Sequence, residues 1–160
     1  MIRLYKRDDT GKPVAYHEAW IEPQNKRIVE HWGYLGDAGD TATHRIKILG
    51  SLEKQFIDVL QPARELGFEE LADGELSALI ISYSVEGQGS DADRDAQDDI
   101  QDALNEKLGW TGLGHCDEGR IHAGAMEICC RVVDVDLAKK VITDALDGSE
   151  FAGYSSIYQE

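Results

Sequence analysis

Hydrophobic and polar positions alternate along residues 2–7 and 14–22, the period of a strand with one buried face. Tyr16 and Trp20 share one side of the second stretch. Asp8-Asp9-Thr10-Gly11-Lys12-Pro13 between them is a turn signal, and Pro23-Gln24-Asn25-Lys26 is another. Strands are expected again over 27–34 and 41–49, around the tight loop Gly36-Asp37-Ala38-Gly39-Asp40. The period then changes to that of a helix, with Leu52, Phe56, Val59 and Leu60 on one face. Ser51 is its expected N-cap, Lys54 stands where a capping box would place Glu, and Pro62 is expected to end or kink it. This first half reads as an antiparallel meander covered by one helix.

The second half reads βαββαβ. Strands are expected over 78–85, 111–117, 125–133 and 152–158, with a turn at Glu118-Gly119. A helix over 91–108 carries the stripe Ala96, Ile100, Ala103, Leu104 and Leu108, with Gly109 as its stop. A second, capped by Asp136, turns Leu137, Val141, Ala145 and Leu146 inward and stops at Gly148. In the strand at 125–133, Met126, Ile128, Cys130 and Val132 share a face. That order is the ferredoxin-like split βαβ pattern, which hosts many unrelated functions. The expected class is therefore α+β, with domains at 1–73 and 74–160. Each sheet has one helix-covered face, so the other needs domain docking, a partner or a homodimer to cover it.

Residues 31–40 resemble a known signature. His31-Trp32-Gly33-Tyr34-Leu35-Gly36-Asp37-Ala38-Gly39-Asp40 is similar to the loop of the WGR domain, a small module named for its Trp-Gly-Arg motif. Trp32, Gly33, Leu35, Gly36 and Gly39 match the pattern, and the resemblance covers roughly residues 1–70. It implies a meander-plus-helix fold. In the DNA-damage-activated poly(ADP-ribose) polymerases, the family's Trp and Arg help to contact a DNA end. Trp32 carries over; the cationic contact does not, because Tyr34 stands at the arginine position.

Charge then narrows the functional classes. The 160 residues hold 16 Lys and Arg against 31 Asp and Glu, a net −15. The excess is uneven: net −4 through Glu75 and −11 after it. Such acidity argues against a general nucleic-acid coat and fits a cationic protein partner, or a saline cytoplasm. The longest apolar runs are far too short to span a membrane. No apolar leader follows Met1, and three cysteines, two of them adjacent, make no disulfide framework, so a reduced, cytoplasmic protein is expected.

The chemical motifs are weak on their own terms. Gly87-x-Gly89-x-x-Ala92 opens a helix as a dinucleotide fingerprint does, but Asp91, Asp93 and Asp95 crowd the place of the pyrophosphate. Asp91, Asp93, Asp95 and Asp102 have the spacing of a calcium loop, but Ala96 stands where the loop needs Gly. His115, Cys116 and His122, near Cys129-Cys130, supply zinc-type ligands without Cys-x-x-Cys spacing. A nucleophile built on Cys116 with His115 or His122 lacks a third orienting group. His17, His31 and His44 fall on three strands of one sheet, where scattered surface histidines are ordinary. Trp20 and Trp32 read as core aromatics, and Trp110 as a cover for the sheet end. No catalytic set and no cofactor are expected.

Three functions remain. The leading one is a non-enzymatic acidic binding protein, of an inhibitor or immunity type, whose acidic helix presents Asp98, Asp102 and Glu106 to a cationic partner. The second is a WGR-type nucleic-acid adaptor using Trp32 and Tyr34 with Arg45 and Lys47 on one face of the neighbouring strand. The third is a small metal or redox protein built on His115, Cys116 and His122.

Overall fold

The computed structural model describes residues 1–72 and 74–160. They form two units, Met1–Ala72 and Asp73–Glu160, of mixed α+β class.

In the first unit, β1 (Ile2–Arg7), β2 (Pro13–Glu22), β3 (Arg27–Tyr34) and β4 (Asp40–Arg45) form an antiparallel sheet in chain order. Helix α1 (Leu52–Glu65) covers the face bearing Leu4, Ala19 and Ile28, which it meets with Leu60 and Ala63. The alternation in β1 and β2 puts these residues on that face. Ser51 caps α1 as expected, accepting from the Lys54 N–H at 3.4 Å.

Two expectations need correction. The fourth strand stops at Arg45 rather than 49, because its partner β3 begins at Arg27, and beyond it the Gln55 side chain holds the backbone of Lys47. It accepts from the Lys47 N–H at 2.7 Å and donates to the Lys47 carbonyl at 3.2 Å. Helix α1 runs through Pro62, which lies in its last turn, where the missing N–H forfeits a single bond, to the carbonyl of exposed Asp58. It ends on a Schellman motif: Gly67 is at φ +89°, its N–H meets the Arg64 carbonyl at 3.0 Å, and the Phe68 N–H meets that of Ala63 at 3.1 Å.

The second unit runs βαββαβ: β5 (Ser77–Ser84), α2 (Asp91–Trp110), β6 (Gly114–His122), β7 (Ala125–Val132), α3 (Val135–Asp147) and β8 (Ser156–Gln159). The antiparallel sheet has the order β6-β7-β5-β8. Its core joins Leu79, Ile81, Met126, Ile128 and Cys130 to Ile100, Leu104, Leu108, Ala138 and Ile142 of the helices.

The expected turn at Glu118-Gly119 is instead an irregularity inside β6, and the hairpin turns at Ala123-Gly124. Three side chains of α2 hold that break. Gln101 donates to the Asp117 carbonyl at 2.8 Å, Asn105 accepts from the Cys116 N–H at 2.7 Å, and Gln97 reaches the Glu127 carbonyl at 3.3 Å. Helix α2 continues past Gly109 to Trp110, and Ala103 is exposed rather than on the apolar stripe. Asp134, not Asp136, caps α3, accepting from the Leu137 N–H at 3.1 Å. The last strand begins at Ser156 rather than 152. The expectation of three free thiols also fails. Register sets Cys116 directly opposite Cys130, and the two form a disulfide, leaving Cys129 free.

Candidate interaction surfaces

The loop at residues 35–39 is clamped onto β2 and β3 by a buried polar chain. Arg3 Nε donates to Glu18 Oε2 at 2.5 Å, and Glu18 Oε1 accepts from His31 Nδ1 at 2.8 Å. The other ring nitrogen, Nε2, lies 2.6 Å from the Ala38 carbonyl and 3.0 Å from Tyr16 Oη, while Tyr16 donates to the Asp37 carbonyl at 2.9 Å. Carboxylate and carbonyl oxygens only accept, so the His31 ring faces an acceptor at each nitrogen. Burial, then the Glu18 charge, pushes the Tyr16 phenol up to about 12, keeping it a donor. The glycines of the signature have a physical role here. Gly39 sits at φ +65°, and a Cβ on it would collide with the Trp32 carbonyl and stand 2.6 Å from Tyr16 Oη. Gly33 is crowded to a lesser degree, with Gly39 Cα at 2.9 Å from a Cβ built there.

Trp32 lies on the opposite face, stacked on His17 with ring centroids 5.7 Å apart and planes 18° from parallel. His17 and His44 converge on one carboxylate: each Nε2 lies 2.7 Å from a different oxygen of Glu30. His31 is not part of this group; it points to the other side of the sheet. Tyr34, at the end of β3, is 72% exposed.

Arg45 and Lys47 do not join Trp32. The residue opposite Trp32 is Asp40, five positions from Arg45, or about 17 Å along a strand. Arg45 also faces the other way by alternation. The two cations do come together with Lys26 around a hollow of about 590 Å³ completed by Ile46, Ile48 and Leu49. Ile48 is fully exposed and Leu49 is 88% exposed. No ion pair to Lys26, Arg45 or Lys47 occurs among the described residues.

On α2 the acidic side chains lie where helical spacing places them. Asp91, Asp95, Asp98, Asp99, Asp102 and Glu106 are all exposed. Among the described residues their ion pairing is a single contact, Arg94 to Asp91 at 3.5 Å. Asp93, by contrast, is spent on a capping box with Ser90, which holds its carboxyl below the usual range.

The proposed zinc ligands are kept apart. Cys116 turns into the core to meet Cys130, while His115 and His122 lie on the other face of β6. Their partners on β7, Arg131 and Ala125, are six positions apart, about 20 Å along the strand. His115 pairs with Asp117 at 2.9 Å and His122 with Glu127 at 3.3 Å. Among the described residues no group of three His, Cys, Asp or Glu side chains is placed to hold a metal ion. Glu127 is instead a hub that sequence reasoning missed. Tyr158 donates to one oxygen at 2.7 Å and Arg120 to the other at 2.6 Å. Burial pushes this carboxyl up, but the bonds from Tyr158, Arg120 and His122 outweigh it and leave it below the usual range. The signal was present in the alternation, since Glu127 faces away from Met126 and Ile128.

Among the described residues no helix is long and apolar enough to cross a membrane. Comparison with family models, curated proteins and solved structures returned no match.

Proposed function

We propose that this is a non-enzymatic binding protein that docks a cationic surface of a partner protein on α2. The observation that supports this reading is the exposed row Asp95, Asp98, Asp99, Asp102 and Glu106, which lacks ion-pair partners among the described residues. Asp95–Asp99, Asp98–Asp102 and Asp102–Glu106 are like-charge i,i+4 pairs, each destabilising by about 0.2–0.5 kcal/mol. A basic partner surface relieves that repulsion and is drawn in by it. The first unit is proposed as WGR-like, with the loop glycines serving the clamp on Tyr16 and His31. The second is proposed as a ferredoxin-like scaffold that carries α2. The reading gives no side chain a catalytic role.

The test is affinity purification from native lysate at low salt, with the tagged wild-type chain beside Asp98→Lys/Asp102→Lys. Proteins with basic surfaces are expected to be enriched by the wild type and lost from the double variant. Equal recovery by both removes α2 as the docking face. A titration with DNA ends separates the adaptor reading: saturable binding lost in Trp32→Ala would put nucleic acid first.

A further inference from the structure

The free edge of β4 is the feature outside that reading which carries most. Two backbone bonds fix the phase of the first sheet: Ile46 N–H to the Lys26 carbonyl at 2.9 Å, and Leu35 N–H to the Val14 carbonyl at 3.0 Å. Both place the even-numbered residues of β4 in hydrogen bonds to β3. The N–H and C=O groups of Thr41, Thr43 and Arg45 therefore point outward, along a sheet edge that no other strand pairs with among the described residues. All three residues are exposed.

An open edge is a template for another strand, and this one leads into a distinctive surface. Immediately beyond Arg45 lies the hollow bordered by Lys26, Lys47, Ile48 and Leu49. It joins three cations without ion pairs among the described residues to two aliphatic side chains almost wholly in water, on a chain of net −15. Gln55 fixes this segment by gripping both backbone groups of Lys47. At the other end of the strand, Asp40 is exposed and acidic. A bound strand is thus offered cations at one end only.

We propose that β4 docks an extended acidic segment of a partner protein, which joins the sheet as a fifth strand. Its backbone bonds Thr41, Thr43 and Arg45, its carboxylates lie beside Arg45, Lys47 and Lys26, and an apolar side chain rests on Ile48 and Leu49. The proposal is independent of α2.

Three labelled peptides test it against the full chain by fluorescence anisotropy at low salt: one alternating Glu and Val, its Lys-for-Glu counterpart, and the Glu peptide N-methylated at alternate amides. The Glu peptide is expected to bind saturably. Thr43→Pro removes one outward N–H and no ladder bond, since proline is accepted on an edge strand. It is expected to weaken binding about tenfold, the effect of one or two hydrogen bonds, with an unchanged thermal midpoint. N-methylation is expected to do the same with the protein unaltered. Arg45→Glu/Lys47→Glu is expected to lose the Glu peptide and gain the Lys one. The proposal is overturned if the Glu peptide does not saturate, or if N-methylation leaves its affinity unchanged. A concentration-dependent dimer abolished by Thr43→Pro overturns it in favour of a second copy. Short duplex DNA retained by Thr43→Pro but lost in Arg45→Glu/Lys47→Glu overturns it in favour of phosphate.

Discussion

Single residues show why the loop after Trp32 has its composition. The Gly39 backbone passes so close to the Trp32 carbonyl and Tyr16 that no side chain fits, and its φ of +65° is one that side chains disfavour. Gly39→Ala is therefore expected to destabilise the first unit by about 2 kcal/mol or more, measured by urea denaturation. Glycines at these positions were legible as a loop signature. The reason for them was not, because it depends on Tyr16 and His31 meeting the loop from different strands. Glu127 makes a second prediction. Its folded-state pKa is lowered, so its contribution to stability is fully present above the ordinary carboxylate range and is lost as pH falls through the lowered value. Melting curves below pH ~4 are expected to drop more steeply for the wild type than for Glu127→Gln. Parallel curves would show that the bonds from Tyr158 and Arg120 do not favour the charged form.

Elements were read from the sequence where periodicity alone decides them, as in β1 to β3, β7 and, apart from Ala103, the apolar stripe of α2. They were misread where contacts distant in sequence lie at the boundary. Gln55 holds Lys47 just beyond β4, and Gln97, Gln101 and Asn105 meet β6 and β7 around an irregularity that looked like a turn. Local spacing carries no trace of such contacts. The Cys116–Cys130 bond was hidden for the same reason: with a turn expected at Glu118-Gly119, nothing showed that β6 runs on to the hairpin that sets Cys116 opposite Cys130. Thiol titration of denatured, unreduced protein is expected to count one free thiol per chain, Cys129, and three after reduction. Three thiols before reduction would contradict the pairing. Within α2, Asp98→Lys/Asp102→Lys is expected to raise the thermal midpoint of the free protein. It turns the pairs 95/98, 99/102 and 102/106 from like to opposite charge, leaves 98/102 like-charged and sets Arg94 against a cation at 98. The opposite pairs gained outnumber the one lost, at about 0.2–0.5 kcal/mol per pair. An unchanged or lower midpoint would mean that the acidic row is already neutralised.

At the scale of the molecule, charge is the property most fully legible in the sequence. Its arrangement needed the structure. The acids of α2 were expected on a solvent face and lie on one, whereas the cations Lys26, Arg45 and Lys47 were not expected to gather around exposed Ile48 and Leu49. Their meeting depends on the early end of β4. The candidate metal ligands failed to meet because the sulfur of Cys116 and the rings of His115 and His122 take opposite faces of one strand. What remains is a protein with an acidic helix on one unit and a basic, aliphatic edge on the other, each suited to a different partner chemistry. The most direct test of the account is the association rate constant of a protein recovered on the wild-type chain, measured against ionic strength for the wild type and for Asp98→Lys/Asp102→Lys. Steering by α2 predicts a wild-type rate that falls about tenfold or more from low to physiological salt, and a slower, nearly salt-independent rate for the double variant. Identical rates and affinities for the two proteins at low ionic strength would contradict it and leave the acidic face a solvated surface.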